Sequence, residues 1–291
     1  MSDCNSTSFL TLQAARRDYG SQFEILVAVL YNQIVKPGDI VVDGGANAGL
    51  HAYALARKVG PGGLLVAFEP NPEVFESLSS NVAQLSVELH RLALSDRQAM
   101  LPFVIDEANP ALSHIHHAFD ASDPGTRTIL VKSVTLDRIV GARRIAFIKL
   151  DLEGADFLAI RGGVATLRRD RPPIVFENSR AWASKCHAYT AEEFFRFFAE
   201  IDYAIYDLHG RELTREIWDF DDIAFEFIGL PKEAGARNRH LLDVIAFFWS
   251  EVESRPVLPE WTDCVIAVRD APDYMTSHHG EAWLSLLRSA V

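Results

Sequence analysis

The stretch Gly38-Asp-Ile-Val-Val-Asp-Gly-Gly-Ala-Asn-Ala-Gly49 decides the fold of this chain. Its apolar run, Ile40 to Val42, is typical of a short buried strand in a parallel sheet. The run ends at Asp43, and glycines then surround the start of a helix that we expect to reach about Lys58. Glycines in such a turn let the backbone bend tightly and approach a ligand closely. The stretch therefore predicts a strand, a ligand-binding turn and a helix.

A second apolar run follows this helix, from Leu64 to Phe68, and it ends at Glu69. The glutamate comes 20 positions after Gly49, where doubly wound folds place an acidic residue that binds a pair of ribose hydroxyls. Ligands of these folds bind outside the carboxyl ends of the strands. We therefore expect Asp43 and Glu69 to lie at one edge of the sheet, in one ligand site.

Two kinds of nucleotide ligand compete for this βαβ unit. A nicotinamide or flavin site requires the pattern G-x-G-x-x-G, which needs glycine at position 46, where the chain has Ala46. The pattern present is D-x-G-x-x-x-G, formed by Asp43, Gly45 and Gly49. Because a carboxylate beside the turn repels a pyrophosphate, this pattern favours a ligand with an ammonium group and no phosphate, such as S-adenosylmethionine. The structural alternative is that Asp43 merely caps the following helix.

Several further short segments, each present once, follow one another along the chain. The set is Val41 to Gly49, Ala67 to Pro72, Asn81, Ala93 to Asp96, Thr135 to Asp137, Ile148 to Asp156 and Pro173 to Glu177. Together these segments resemble the class I methyltransferases of the FkbM family, over about residues 20 to 180. Each segment alone would be a weak signal. One departure is Asp156, where the family's motif more often has glutamate.

The resemblance implies a Rossmann-like α/β fold with a doubly wound, mostly parallel seven-stranded sheet, and S-adenosylmethionine as the cofactor. It also implies methyl transfer to a hydroxyl group of a small molecule, often a sugar or a natural product, and an adenine site near residues 92–95. The residues expected to bind the cofactor are Asp43, Gly45, Ala46, Asn47, Gly49, Glu69, Pro70, Asn71, Leu92, Ala93, Ser95 and Asp151.

The acceptor side is predicted at the end of the fourth core strand, Ile145 to Leu150. Asp151 ends this strand beside the first strand, so its carboxylate should lie near the methionyl end of the cofactor. Glu153 follows at the turn into a helix, and His114 could approach from a long loop. We expect a general base among these three residues, which would help with a poorly acidic hydroxyl. The alternatives are that Asp151 binds the cofactor's ammonium and that Glu153 caps its helix.

The long polar loop, residues 110–117, lies between two predicted strands, Met100 to Ile105 and Thr128 to Val134. It contains His114, His116 and His117. Adjacent histidines on a regular strand cannot both face one ion, and no carboxylate pair stands at ligand spacing, so no metal site is predicted. Either the loop is solvated or it is a lid that carries a histidine base.

Lys149 stands inside the apolar fourth strand, where an unpaired ammonium would be costly. Glu177 ends the strand Ile174 to Phe176, which should be the neighbour, and it is the expected partner of Lys149. For both residues, pairing within the structure is favoured over catalysis.

Composition limits the classes of partner. The formal net charge is −12, and an acidic protein is repelled by phosphate backbones, so we expect no nucleic-acid partner. No apolar run approaches the ~20 residues of a membrane span, and no signal peptide is visible. The widely spaced cysteines, Cys4, Cys186 and Cys264, show no disulfide or zinc spacing, which fits a cytoplasmic protein. A homo-oligomer is compatible with the sequence.

The 291 residues are expected to form an N-terminal arm (1–19), one methyltransferase domain (20–250) and a C-terminal extension (251–291) packed on the domain or a partner. The domain should open with an amphipathic helix around Phe23 to Leu30. It should close with a phenylalanine-rich helix and two strands, Tyr203 to Asp207 and Val244 to Trp249; the resemblance makes the seventh strand antiparallel. The rival functions are an NAD-dependent oxidoreductase and a non-catalytic protein that binds the cofactor or a partner.

Overall fold

The computed structural model describes residues 22–115, 125–220 and 224–254, the last four as backbone only. The predicted N-terminal arm, His116 and His117, Cys4 and Cys264, and the extension beyond residue 254 lie outside these residues. The chain divides into two compact units. Of the described residues, the first contains those in 22–33, 208–210 and 236–254, and the second contains those in 34–207 and 211–235.

Strands and helices alternate along most of the chain. The strands are β1 (Ile40–Gly44), β2 (Leu64–Phe68), β3 (Val87–His90), β4 (Ala93–Leu94), β5 (Met100–Asp106), β6 (His114–Ile115), β7 (Thr126–Val134), β8 (Ile145–Leu150), β9 (Ile174–Glu177), β10 (Tyr203–Asp207) and β11 (Glu226–Pro231). The helices are α1 (residues 22–34), α2 (Leu50–Val59), α3 (Pro72–Val82), α4 (Leu136–Val140), α5 (Asp156–Arg161), α6 (Val164–Asp170), α7 (Ala181–Cys186), α8 (Ala191–Glu200) and α9 (Gly235–Ser254).

The main sheet has seven strands in the order β10-β11-β9-β8-β1-β2-β3. The pairs β1–β2, β1–β8, β2–β3 and β8–β9 are parallel, and β11 is antiparallel to both of its neighbours. The chain moves outward from β1 to β3 and resumes at β8, on the other side of β1. This is the reversal of strand order beside which open α/β sheets bind ligands. The predicted doubly wound, mostly parallel sheet is therefore confirmed.

A second sheet lies in the connection between β3 and β8, with the order β4-β7-β5-β6. Its buried residues Leu101, Phe103 and Ile115 form a cluster with Ala155, and the half-buried Leu152 packs against it. Because Leu152 and Ala155 belong to the turn after β8, this small sheet packs against the segment in which the acceptor side is predicted.

The predicted strand from Val244 to Trp249 is wrong, because these residues lie inside α9. The buried positions Leu241, Val244, Ile245 and Phe248 are spaced as on one face of a helix. A short apolar run fits a strand or a helix, and here the spacing of the buried residues follows the period of a helix. The antiparallel strand is instead β11. It contains Gly229 and Pro231, and because both residue types are rare in strands, the sequence did not predict it.

The glycine pair Gly162-Gly163 divides the predicted helix after β8 into α5 and α6. A Cβ on Gly162 would lie 2.2 Å from the carbonyl oxygen of Ser95. Glycine is therefore required for close approach of the helix end to the segment after β4.

Within the first unit, the Phe23 ring packs edge-on against His209 and Trp249, with ring centroids 5.5 and 5.4 Å apart. Among the residues described, no helix has the length and apolar character that crossing a lipid bilayer requires.

Candidate functional site

The turn after β1 is held by backbone hydrogen bonds to the neighbouring strand. The amides of Gly45 and Ala46 both donate to the carbonyl of Phe68, at 3.0 and 2.9 Å. Gly45 has φ +74°, and a Cβ there would lie 1.9 Å from the carbonyl oxygen of Asp151. This position requires glycine both for its left-handed conformation and for the close approach of the β8 end.

The second half of the turn leads into α2. Asn47 has φ +47° and Gly49 has φ +100°. A Cβ on Gly49 would approach the Leu78 side chain of α3 to 2.9 Å. Asn81 donates from its side-chain amide to the Ala48 carbonyl at 2.8 Å, so α3 also fixes this turn.

Glu69 follows β2 and links the two turns at this edge of the sheet. Its Oε2 accepts from the Asn47 amide at 3.1 Å, and its Oε1 accepts from the Asn71 amide at 2.7 Å. Each carboxylate oxygen has two lone pairs, so capacity for two further donors remains. Burial raises the pKa of Glu69 to about 7, against the lowering effect of the two amides.

Asn71 begins α3, as expected from Pro72 at the first helical position. Its side-chain oxygen accepts from the Glu73 amide at 3.1 Å. Its Nδ2 is buried and has no hydrogen-bond partner among the described residues. A buried donor without a partner is costly, and an acceptor atom of a ligand beside Glu69 could satisfy it.

The carboxyl ends of β1 and β8 bring together two carboxylates and one ammonium. Lys149 Nζ lies 3.7 Å from Asp43 Oδ1 and 3.7 Å from Asp151 Oδ2. Asp43 is completely buried, whereas the Asp151 side chain is 32% exposed. Burial raises the pKa of Asp43, and Lys149 acts to lower it. The sequence predicts Glu177 as the partner of Lys149, and that pairing stays a prediction. The two partners that the structure shows are Asp43 and Asp151.

The turn from β8 into α5 has an unusual backbone. Glu153 and Gly154 both have positive φ, +48° and +96°. Glu153 precedes the helix, and the acidic residue in the first turn of α5 is Asp156. The N-cap position of α5 is Ala155, without a side-chain capping hydrogen bond, and a capping role for Glu153 stays a prediction.

Asp156 is completely buried and joins the ends of two strands. Its carboxylate accepts from the amides of Leu152, at 3.2 Å, and Glu177, at 3.3 Å. Burial, and then the charge of Asp151, raise its pKa well above the usual range. The shorter aspartate at this position thus has a structural role that its sequence context did not reveal.

Aromatic side chains surround the Glu153–Gly154 turn. The Trp182 ring of α7 packs on Gly154, where a Cβ would lie 2.7 Å from the ring, and His187 Nε2 would lie 3.6 Å from the same Cβ. His114 is on β6 and makes an edge contact with Trp182, with ring centroids 6.3 Å apart. The predicted loop is therefore a strand at His114, which reaches this turn through Trp182. The sequence analysis missed both Trp182 and His187.

Three carboxylates converge at the ends of β8 and β9. Oxygens of Asp151, Glu153 and Glu177 all lie within 4.8 Å of one another. Such groups can accept hydrogen bonds from a hydroxyl or hold a cation. Lys149 already lies 3.7 Å from one of them, Asp151, so we do not assign a metal ion to this cluster.

The remaining predicted residues lie close to this edge but are largely buried. Pro70, Ala93 and Ser95 are buried, and Leu92 is half-buried. The Ser95 amide donates to the Val134 carbonyl at 3.0 Å, which joins this segment to β7. Contact of these side chains with the adenine stays a prediction.

A family model for the methyltransferase FkbM domain matches residues 43–220. The chain belongs to this family. S-adenosylmethionine is therefore its cofactor. No curated protein sequence matches it.

Several solved methyltransferase structures are similar to this chain at low sequence identity. A methyltransferase FkbM from Methylobacillus flagellatus is 16% identical, with a TM-score of 0.41 over 69% of this chain and 49% of that one. A SAM-dependent O-methyltransferase from Thermotoga maritima is 16% identical, with a TM-score of 0.40 over 72% and 64%. A SAM-dependent methyltransferase from Aquifex aeolicus is 14% identical, with a TM-score of 0.36 over 70% and 87%. This chain thus spans about half the length of the M. flagellatus protein.

The residues at this edge fit S-adenosylmethionine. Glu69 has free lone pairs for a ribose diol, and Asn71 has an unsatisfied buried donor beside it. Asp151 presents a partly exposed carboxylate for a cationic group. The glycine turn brings backbone rather than side chain to the site, as a nucleoside ligand requires.

Replacing Gly45 with alanine should destabilise the chain by roughly 2–5 kcal/mol, since a left-handed alanine costs ~1–2 kcal/mol and overpacking against Asp151 adds ~1–3 kcal/mol. Urea unfolding would measure this change. Gly62→Ala is the matched control, because its Cβ would have no atom within 4 Å; its effect should stay below about 1 kcal/mol. Equal effects in the two variants would contradict the packing of Gly45 on β8.

Proposed function

We propose that this methyltransferase transfers the methyl group to a hydroxyl of a small molecule, such as a sugar or a natural product. The observation that carries the proposal is the convergence of Asp151, Glu153 and Glu177 at the strand ends. Ionised carboxylates are acceptors without donors, so they suit a ligand that presents hydroxyl hydrogens. The net charge of −12 disfavours a nucleic-acid acceptor. A cytoplasmic location and a homo-oligomer stay predictions from the sequence.

Most of the predicted cofactor residues have a direct role under this proposal. Glu69 accepts hydrogen bonds from the two ribose hydroxyls, and residues 45–49 form the wall of the nucleoside site. Asp151 faces the cationic methionine end, and the segment 92–95 lies on the adenine side. When bound, S-adenosylmethionine supplies an activated methyl group, so the chain's main task is alignment of the acceptor oxygen.

A general base helps if the acceptor hydroxyl is weakly acidic. Glu153 is the preferred candidate, because it is half-buried beside Asp151 and its left-handed backbone places it outside α5. His114 is the second candidate, in edge contact with Trp182, whose ring also packs on Gly154. Asp151 is better suited to binding the cofactor's ammonium than to catalysis, since Lys149 already holds its carboxylate.

Thermal unfolding with ligands tests the cofactor assignment. S-adenosylhomocysteine at about 100 times its dissociation constant should stabilise the folded state by ~2.7 kcal/mol, a rise in Tm of a few degrees, and NAD should give none. Glu69→Ala should reduce the shift, because charge-assisted hydrogen bonds contribute ~1.5–3 kcal/mol. An equal shift with NAD, or none with S-adenosylhomocysteine, would refute the assignment.

The raised pKa of Glu69 predicts a pH-dependent affinity. Ribose hydroxyls bind the carboxylate form, so below a pKa of about 7 the free protein must first release a proton. Affinity for S-adenosylhomocysteine should rise with pH up to this value and level off above it, with roughly tenfold weaker binding at pH 6 than at pH 8. Calorimetry of wild type and Glu69→Gln measures the effect. The Gln variant should lose this dependence, and identical profiles would exclude Glu69 from the site.

Turnover assays with a panel of sugar and natural-product hydroxyls would locate the base. Glu153→Gln should reduce the rate of S-adenosylhomocysteine formation by ~10²–10⁴-fold and leave S-adenosylhomocysteine affinity unchanged. Glu76→Gln, on the exposed side of α3, is the matched control and should retain full rate. Full turnover in both Glu153→Gln and His114→Ala would mean that the enzyme acts by positioning. If no acceptor of the panel were methylated by wild type, the non-catalytic alternative would be favoured.

A further inference from the structure

Asp43, Lys149 and Asp151 share one face of the main sheet because of strand register. Asp43 in β1 is the Cα partner of Lys149 in β8. Residues paired in register on parallel strands point to the same face, and so does Asp151, two positions after Lys149. The backbone therefore places one ammonium between two carboxylates.

The three side chains differ sharply in access to solvent. Asp43 is 0% exposed, Lys149 6% and Asp151 32%. Of the three, Asp151 is the group that offers surface to a ligand. Asp43 is the most buried of the three, and the Nζ of Lys149 lies 3.7 Å from an oxygen of each carboxylate.

We propose that Asp43 and Lys149 act as positioning residues: a buried ion pair that holds the Asp151 carboxylate in place to bind the cofactor's cationic methionine end. This inference rests on the proposed role of Asp151. It replaces the direct contact between Asp43 and the cofactor that the sequence pattern suggested. Asp43 then acts through Lys149, and Lys149 acts through Asp151.

The charge balance of the pair supports this order of action. Neither oxygen of Asp43 receives a hydrogen bond from any described residue, so the Lys149 ammonium is a main source of its stabilisation. A 3.7 Å ion pair outside hydrogen-bonding distance acts through charge. One ammonium shared between two carboxylates leaves a net negative charge, which an incoming ammonium group neutralises.

Other titratable groups surround this trio. His51 of α2 and Glu69 after β2 interact electrostatically with Asp43, and Asp156 of α5 interacts with Asp151. Glu177 at the end of β9 lies within 4.8 Å of the Asp151 carboxylate. The acidic groups among them increase the negative charge, so loss of Lys149 should favour protonation or displacement of Asp151.

Two ligands with the same nucleoside distinguish a selective loss of binding at the methionine end from a general loss of structure. S-adenosylhomocysteine has the amino-acid end, and 5′-methylthioadenosine lacks it. We expect Lys149→Met to weaken S-adenosylhomocysteine binding roughly 10- to 100-fold, in line with the loss of a charge-assisted contact. Its affinity for methylthioadenosine should stay within about twofold of wild type. Lys132→Met, at an exposed position of β7, should change neither affinity.

Asp43→Asn provides a second, nearly isosteric test and should show the same selective loss. If Lys149 or Asp43 acted only in packing, both ligands would lose affinity together, and this result would overturn the proposal. Unchanged affinity for both ligands in both variants would overturn it too.

A measurement on the wild type remains decisive even if both variants fail to fold. The ratio of the two affinities cancels the contribution of Glu69, because both ligands have the ribose diol. We therefore expect wild type to bind S-adenosylhomocysteine more tightly than methylthioadenosine, and equal affinities would overturn the proposal. If wild type bound neither ligand, the proposed cofactor site itself would fail; binding of both without a preference would refute the supporting pair alone.

Discussion

The parallel pairing of β1 with β8 is the constraint on which the site depends. The Asp151 amide donates to the Gly44 carbonyl at 3.0 Å, and the next residue, Gly45, leaves no space for a Cβ against the Asp151 carbonyl. This contact joins the glycine turn to the acidic end of β8 through backbone alone. Side chains at both strand ends are consequently fixed relative to each other before any ligand is present, which is what preorganisation of a site requires.

This arrangement places several buried carboxyl groups close together, which is unfavourable for the folded state. Burial raises the pKa values of Asp43, Glu69 and Asp156, and each carboxylate is stabilised differently. Glu69 and Asp156 accept backbone amides, whereas Asp43 depends on the charge of Lys149. A ligand with phosphates would add repulsion at this edge, and a ligand with an ammonium group relieves it. The same electrostatics that weaken the folded state thus select the class of cofactor.

The parts of the fold that sequence reasoning predicts are those whose physical signal is local. The strand before Asp43, the strand before Glu69 and the proline at the start of α3 all combine an apolar run with a turn residue, and the structure confirms them. The apolar run from Val244 to Trp249 fits a strand or a helix equally, and the decisive residue, Leu241, lies outside it. Tertiary partners are not local: the positions of Asp43 and Asp151 beside Lys149 follow from strand register, which the sequence does not state.

The proposed acceptor side is built on a different principle from the cofactor side. Its residues come from β6, the turn after β8 and α7, and their positions depend on left-handed residues rather than on sheet register; Glu153, Gly154 and Arg180 all have positive φ. Arg180 fixes the start of α7 through its guanidinium, which donates to the carbonyls of Trp218, Phe220 and Ala224 at 2.9, 2.8 and 3.0 Å. Such turns can change shape while the sheet stays constant, so one fold can hold one cofactor and serve many acceptors. The motifs that identify the cofactor therefore carry no information about the acceptor, whose recognition is proposed for the segments of Trp182, His114 and the Glu153–Gly154 turn.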